Sequence, residues 1–169
     1  MKHLVAAILV WTMAVDARAH LMVEQHATLN FVDDGAFLVI SAPVTAFTGI
    51  DENDDGMLSA QEMGKHINTL RQQIHDGVKL LDRSGNQLPL QGLMLSLSHP
   101  HDDPGGPANH VIALGRFAVG DSMSPLTMEI SLCGEAPDEQ VFHVTATRNG
   151  ASRKMTFTPA SSRHEILPG

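Results

Sequence analysis

The stretch from Asp51 to Glu62 reads DENDDGMLSAQE and carries oxygen-bearing side chains at Asp51, Asn53, Asp55, Ser59 and Glu62, with a glycine at position 56. That density of carboxylates must be neutralised, and a hard divalent cation is the natural counter-charge. Calcium takes about six to eight oxygen ligands at roughly 2.3 to 2.6 Å and tolerates irregular geometry. Alternate residues of a tightly wound loop can converge on one point, so Asp51, Asn53 and Asp55 each offer an oxygen. Gly56 permits the sharp turn that redirects the chain. The backbone carbonyl of Met57 comes next, then Ser59 directly or through a water, then Glu62 with both carboxylate oxygens.

These residues satisfy the pattern D-x-[DN]-x-[DN]-G-x5-E at every position. The segment resembles the EF-hand family, and the likeness continues beyond the donors. Leu58 stands at the eighth loop position, where that family carries an apolar anchor. Phe47 and Ile50 fit the apolar pattern of an entering helix, and EMGKHINTL fits the leaving one. The resemblance implies Ca²⁺ as the bound cofactor, held by Asp51, Asn53, Asp55, Met57 (backbone), Ser59 and Glu62 as a structural, stabilising ion. Pro43 and the β-branched residues of SAPVTAFTGI limit the entering helix to one or two turns. No second hand is visible, because VDDGAFLV lacks the later donors and HDDPGGPANH has prolines where the pattern needs none. The plainer reading is a helix start: Ser59 and Glu62 also form an S-x-x-E capping box. Capping leaves Asp51, Asn53, Asp55 and Gly56 without a purpose.

The chain holds ten histidines, which raise a competing metal. Cleavage after Ala19 would place His20 at the amino terminus, where amine and imidazole together chelate copper. His26 lies too far along an extended strand to close that site, since six residues span about 20 Å. His99, His101 or His110 would have to complete it. The loop bearing His99, His101, Asp102, Asp103 and His110 reads more simply as a solvated polar turn than as a zinc or copper centre. His66, His75, His143 and His164 read as surface or sheet-face residues. Cys133 is the sole cysteine, so no internal disulfide forms, and in MEISLCG it reads as a buried strand residue. No nucleophile elbow, H-E-x-x-H or phosphate loop occurs. A non-enzymatic role is therefore expected, with a copper carrier using His20 as the alternative and a hydrolase behind it.

Around these residues the chain supplies an export signal and a β framework. Residues 1–19, MKHLVAAILVWTMAVDARA, have a basic start, a short apolar run and an A-x-A end. This reads as a cleaved signal peptide, too short in its apolar part to span a membrane. A periplasmic or secreted protein beginning near His20 is expected. Losing Lys2, Arg18 and Asp16 leaves nine basic against eighteen acidic residues, a balance that disfavours nucleic acid or an anionic membrane as partner. Trp11 leaves with the leader, and the remaining chain has neither Trp nor Tyr, so it offers no aromatic platform for sugars or bases.

Strand-length apolar runs recur as LMVEQHATLNFV, AFLVISAPV, GVKLL, LPLQGLMLSLS, HVIALGRFAV, LTMEISL, QVFHVTATR and RKMTFTP. Turn residues at Asp33-Asp34-Gly35, Ser84-Gly85-Asn86 and Asn149-Gly150 separate them. Against this rhythm, Met63, Ile67, Leu70 and Ile74 recur at three- and four-residue spacing, which predicts an amphipathic helix over 60–75 stopped by Gly77. The expected fold is mainly β: one antiparallel, Ig-like β-sandwich domain over 20–158 with an EF-hand-like loop and helix inserted at 43–76, and a flexible tail over 159–169.

Overall fold

The computed structural model describes residues 25–99, 103–120 and 125–166. The expected leader at 1–19, its cleavage point, His20, His101 and Asp102 lie outside them. Among the described residues no helix is long and apolar enough to cross a membrane.

The molecule is mainly β, with nine strands and one helix among the described residues. In chain order these are β1 (His26–Val32), β2 (Gly35–Pro43), α1 (Ala60–Gly77), β3 (Val78–Leu81), β4 (Leu90–Ser98), β5 (His110–Ala118), β6 (Leu126–Ile130), β7 (Phe142–Arg148), β8 (Ala151–Phe157) and β9 (Arg163–Ile166). A six-stranded sheet runs β4-β5-β2-β1-β7-β8 and a three-stranded sheet runs β3-β6-β9.

Alternation along the strands decides which face is buried. On β2, Ala36, Leu38, Ile40 and Ala42 turn inward, while Phe37 and Val39 remain exposed. Leu29, Phe117, Phe142, Val144 and Phe157 join them from the neighbouring strands, and the smaller sheet adds Val78, Leu80, Met128, Ile130 and Ile166. All belong to one continuous apolar core. The tight β7–β8 hairpin follows from Asn149 and Gly150, both at positive φ, as a type I′ turn requires.

Three expectations need correction. The larger sheet is not wholly antiparallel, because β1 pairs in parallel with β7, from His26 opposite His143 to Phe31 opposite Arg148. That pair unites the β1–β2 and β7–β8 hairpins into one sheet. Within the expected flexible tail, Arg163–Ile166 form β9, which pairs antiparallel with β6 and buries Ile166. A single inward apolar residue and a free sheet edge suffice to order so short and polar a stretch. Cys133 lies beyond the end of β6 and is only half-buried.

Helix α1 matches its amphipathic reading, with Leu70 and Ile74 buried and Ser59 as its N-cap. It ends at Gly77, the residue expected to stop it, two positions beyond the expected 60–75. Gly77 belongs to the helix and runs directly into β3, and its φ is not among the positive values. The reason for glycine there is space, since a Cβ would lie 2.7 Å from Cγ and Cδ2 of Leu132. The segment before the acidic loop is a single 3-10 turn over Val44–Ala46, within the one or two turns that Pro43 and the β-branched residues allow.

Candidate metal-binding loop

Apolar residues at both ends hold the acidic loop onto the core. Phe47 and Ile50 precede it and Leu58 lies within it; Ile50 and Leu58 are wholly buried. Between these anchors the chain reverses through Asp54 and Gly56, at φ of 55° and 74°. The second value is readily reached by glycine alone. Asp51 winds the turn around its own carboxylate: Oδ2 accepts from the Gly56 amide at 2.7 Å, and Oδ1 from the amides of Asn53 at 3.3 Å and Asp55 at 3.4 Å. Asp55 Oδ1 accepts from the Met57 amide at 2.8 Å, and Oδ2 from the Asn53 side-chain amide at 2.8 Å.

The helix start closes the loop. Ser59 Oγ donates to Glu62 Oε2 at 2.6 Å and accepts from the Glu62 amide at 3.2 Å. Glu62 Oε2 also accepts from the Ser59 amide at 2.9 Å, and Oε1 reaches back to the Glu52 amide at 3.0 Å. The Ser59 hydroxyl, then the Ser59 and Glu52 amides, hold the Glu62 carboxyl below its ordinary range. Glu52 does not join the donors. It turns to α1, where Lys65 and His66 bind it, His66 Nε2 at 2.9 Å, and these contacts lower its pKa in turn.

Four of the expected donor residues, Asn53, Asp55, Ser59 and Glu62, line one open cavity together with Glu52, Lys65 and Pro107. Asp51 instead lines the neighbouring hollow beside Asp54 and Gly56. The Asp51 and Glu62 carboxylates are engaged by the loop's own amides, and among the described residues no three His, Cys, Asp or Glu side chains stand as a metal-holding group. The donor chemistry nevertheless suits a hard cation, because every side chain expected to bind offers oxygen and none offers sulfur or imidazole.

A contact that the sequence did not reveal completes the loop. Leu58 and Ala108 form an antiparallel bridge, with Leu58 N to Ala108 O at 2.8 Å and Ala108 N to Leu58 O at 3.0 Å. Nothing in PGGPAN marks it, since the prolines read only as irregular backbone.

Among the described residues, several histidines make local contacts. His99 Nδ1 donates to the Gly106 carbonyl at 2.8 Å, and buried His110 places Nδ1 3.1 Å from Asn109 Oδ1. His143 contacts Thr156, and His164 contacts Ser161 and stands edge-on to Phe157. Burial pushes the Cys133 thiol above its ordinary pKa, which lowers its reactivity at neutral pH. No family model matches the sequence, and no curated protein matches it.

Proposed function

We propose that this chain is an exported calcium-binding protein, an Ig-like β-sandwich carrying one EF-hand loop and helix, in which Ca²⁺ stabilises a binding or adaptor module rather than serving catalysis. The observation that carries this reading is a complete run of oxygen donors on a loop anchored at both ends and already wound by the Asp51–Gly56 hydrogen bond. Asp51, Asn53, Asp55, Ser59 and Glu62 would contribute side-chain oxygens, and Met57 its carbonyl. The ion supplies positive charge that relieves repulsion among the carboxylates.

Extracellular sites of this kind hold calcium at about 10⁻⁴ to 10⁻³ M. At ten times the dissociation constant, bound ion stabilises the fold by about 1.4 kcal/mol, which raises Tm by roughly 3 to 6 °C for a chain of this size. Thermal melting in millimolar Ca²⁺ and in chelator, with calorimetry alongside, tests this; equal Tm values and no heat of binding overturn it. Glu62→Gln keeps the capping box, which accepts Gln as well as Glu, while removing one negative charge. Affinity should fall about tenfold or more, because charge count tunes such sites.

A further inference from the structure

We infer that the Asp103–Asn109 strap serves as the second half of the calcium loop, so that metal binding and the ordering of this strap form one coupled equilibrium. The inference rests on the calcium reading above and adds what that ion controls.

The strap meets the loop at one residue. Leu58 and Ala108 exchange both backbone hydrogen bonds and are both wholly buried. Leu58 sits between Met57 and Ser59, two consecutive contributors to the proposed donor set, so the bridge fixes the backbone at the point where the loop must present both. On either side of Ala108 the strap is tied again. Pro107 walls the cavity lined by Asn53, Asp55, Ser59 and Glu62, and the Asn109 carbonyl accepts from the Val44 amide at 2.8 Å, at the end of β2. His99 holds the far side through Gly106. The strap therefore spans the donor loop and the segment that leads into it.

Its own sequence orders it only in part. The Gly106 amide donates to the Asp103 carbonyl at 3.3 Å across Pro104 and Gly105, but the two prolines remove amide donors and the paired glycines raise the entropy lost on ordering. The rest of its order must come from what it touches. Coupling is reciprocal: whatever the bridge adds to calcium affinity, calcium adds to the stability of the bridge. Ordering would pass along the chain to His110 and the start of β5, making this strap the surface whose state follows the ion.

The full mature protein, titrated with calcium chloride, tests this. Amide exchange over 103–109 should slow about tenfold or more between chelator and saturating Ca²⁺. Ala108→Pro deletes one donor of the bridge and should weaken affinity about tenfold. Pro107→Gly leaves the bridge intact but loosens the strap, and should weaken affinity about two- to fivefold. Wild-type binding with unchanged exchange over 103–109 and unaltered affinity in Pro107→Gly overturns the coupling and leaves the calcium site standing. Absence of any calcium heat in the wild type sinks both. Should Ala108→Pro fail to fold, the wild-type exchange and Pro107→Gly decide the matter.

Discussion

Glycines in one short region show how the same residue answers different demands. Gly56 sits at φ of 74° with nothing near the position a Cβ would take. Gly64, in the exposed face of α1, also has free space there but ordinary helical backbone. The two should respond to alanine with opposite signs. Gly56→Ala should cost about 1 to 2 kcal/mol, the penalty of an L side chain in the left-handed region. Gly64→Ala should stabilise by about 0.5 to 1 kcal/mol through helix propensity and lost unfolded-state freedom. Urea unfolding of the two variants in chelator checks both signs. The candidate donors are plain at this scale, because their types and spacing are a local property of twelve consecutive positions. The direction each carboxylate faces is not: the Asp51 and Glu62 oxygens bind nearby amides, and Glu52 is drawn to Lys65 and His66.

Among the elements, α1 was legible through Leu70 and Ile74, whose spacing marks the buried stripe. Its end falls at Gly77, as the sequence suggests, but what constrains that glycine is Leu132, a neighbour fifty-five positions away. Gly77→Ala would drive a Cβ to 2.7 Å from Leu132, an overpacking that should destabilise by about 1 to 3 kcal/mol. The contrast with Gly64→Ala, in the same helix and opposite in sign, separates packing from propensity. An unchanged midpoint for Gly77→Ala would show that Leu132 swings aside freely. The strands were read well wherever apolar residues alternate, as on β2 and β7. β9 was overlooked because RHEI has only Ile166 to bury.

At the level of the whole molecule, one row of side chains stitches the smaller sheet. Lys79 on β3, Glu129 on β6 and Arg163 on β9 lie in register. Glu129 Oε2 accepts from Arg163 Nη2 at 2.7 Å, and Oε1 lies 3.5 Å from Lys79 Nζ. Arg163 foremost, then Lys79, hold the Glu129 carboxyl below its ordinary range. A depressed carboxylate contributes stability above the unfolded pKa of about 4.3 and loses it as pH falls through the lower native value. Since the row is partly exposed, the contribution is about 1 kcal/mol or less. Glu129→Gln should therefore be less stable than wild type at pH 7 by that amount, and the two denaturation midpoints should converge as pH falls through the lowered native value. A gap that persists in acid would assign the loss to packing instead of charge.

The sequence by itself determined the run of oxygen-bearing side chains from Asp51 to Glu62, the inward faces of most strands and the buried stripe of α1. Each of these is a periodicity or spacing within one short segment. Tertiary structure alone decided that β1 runs parallel to β7, that β9 completes the sheet beside β6, and that Leu58 finds its backbone partner in Ala108. The physical reason is that backbone hydrogen bonding carries no side-chain label. Any strand edge can satisfy any other, so the choice among distant partners is made by which arrangement buries the shared core.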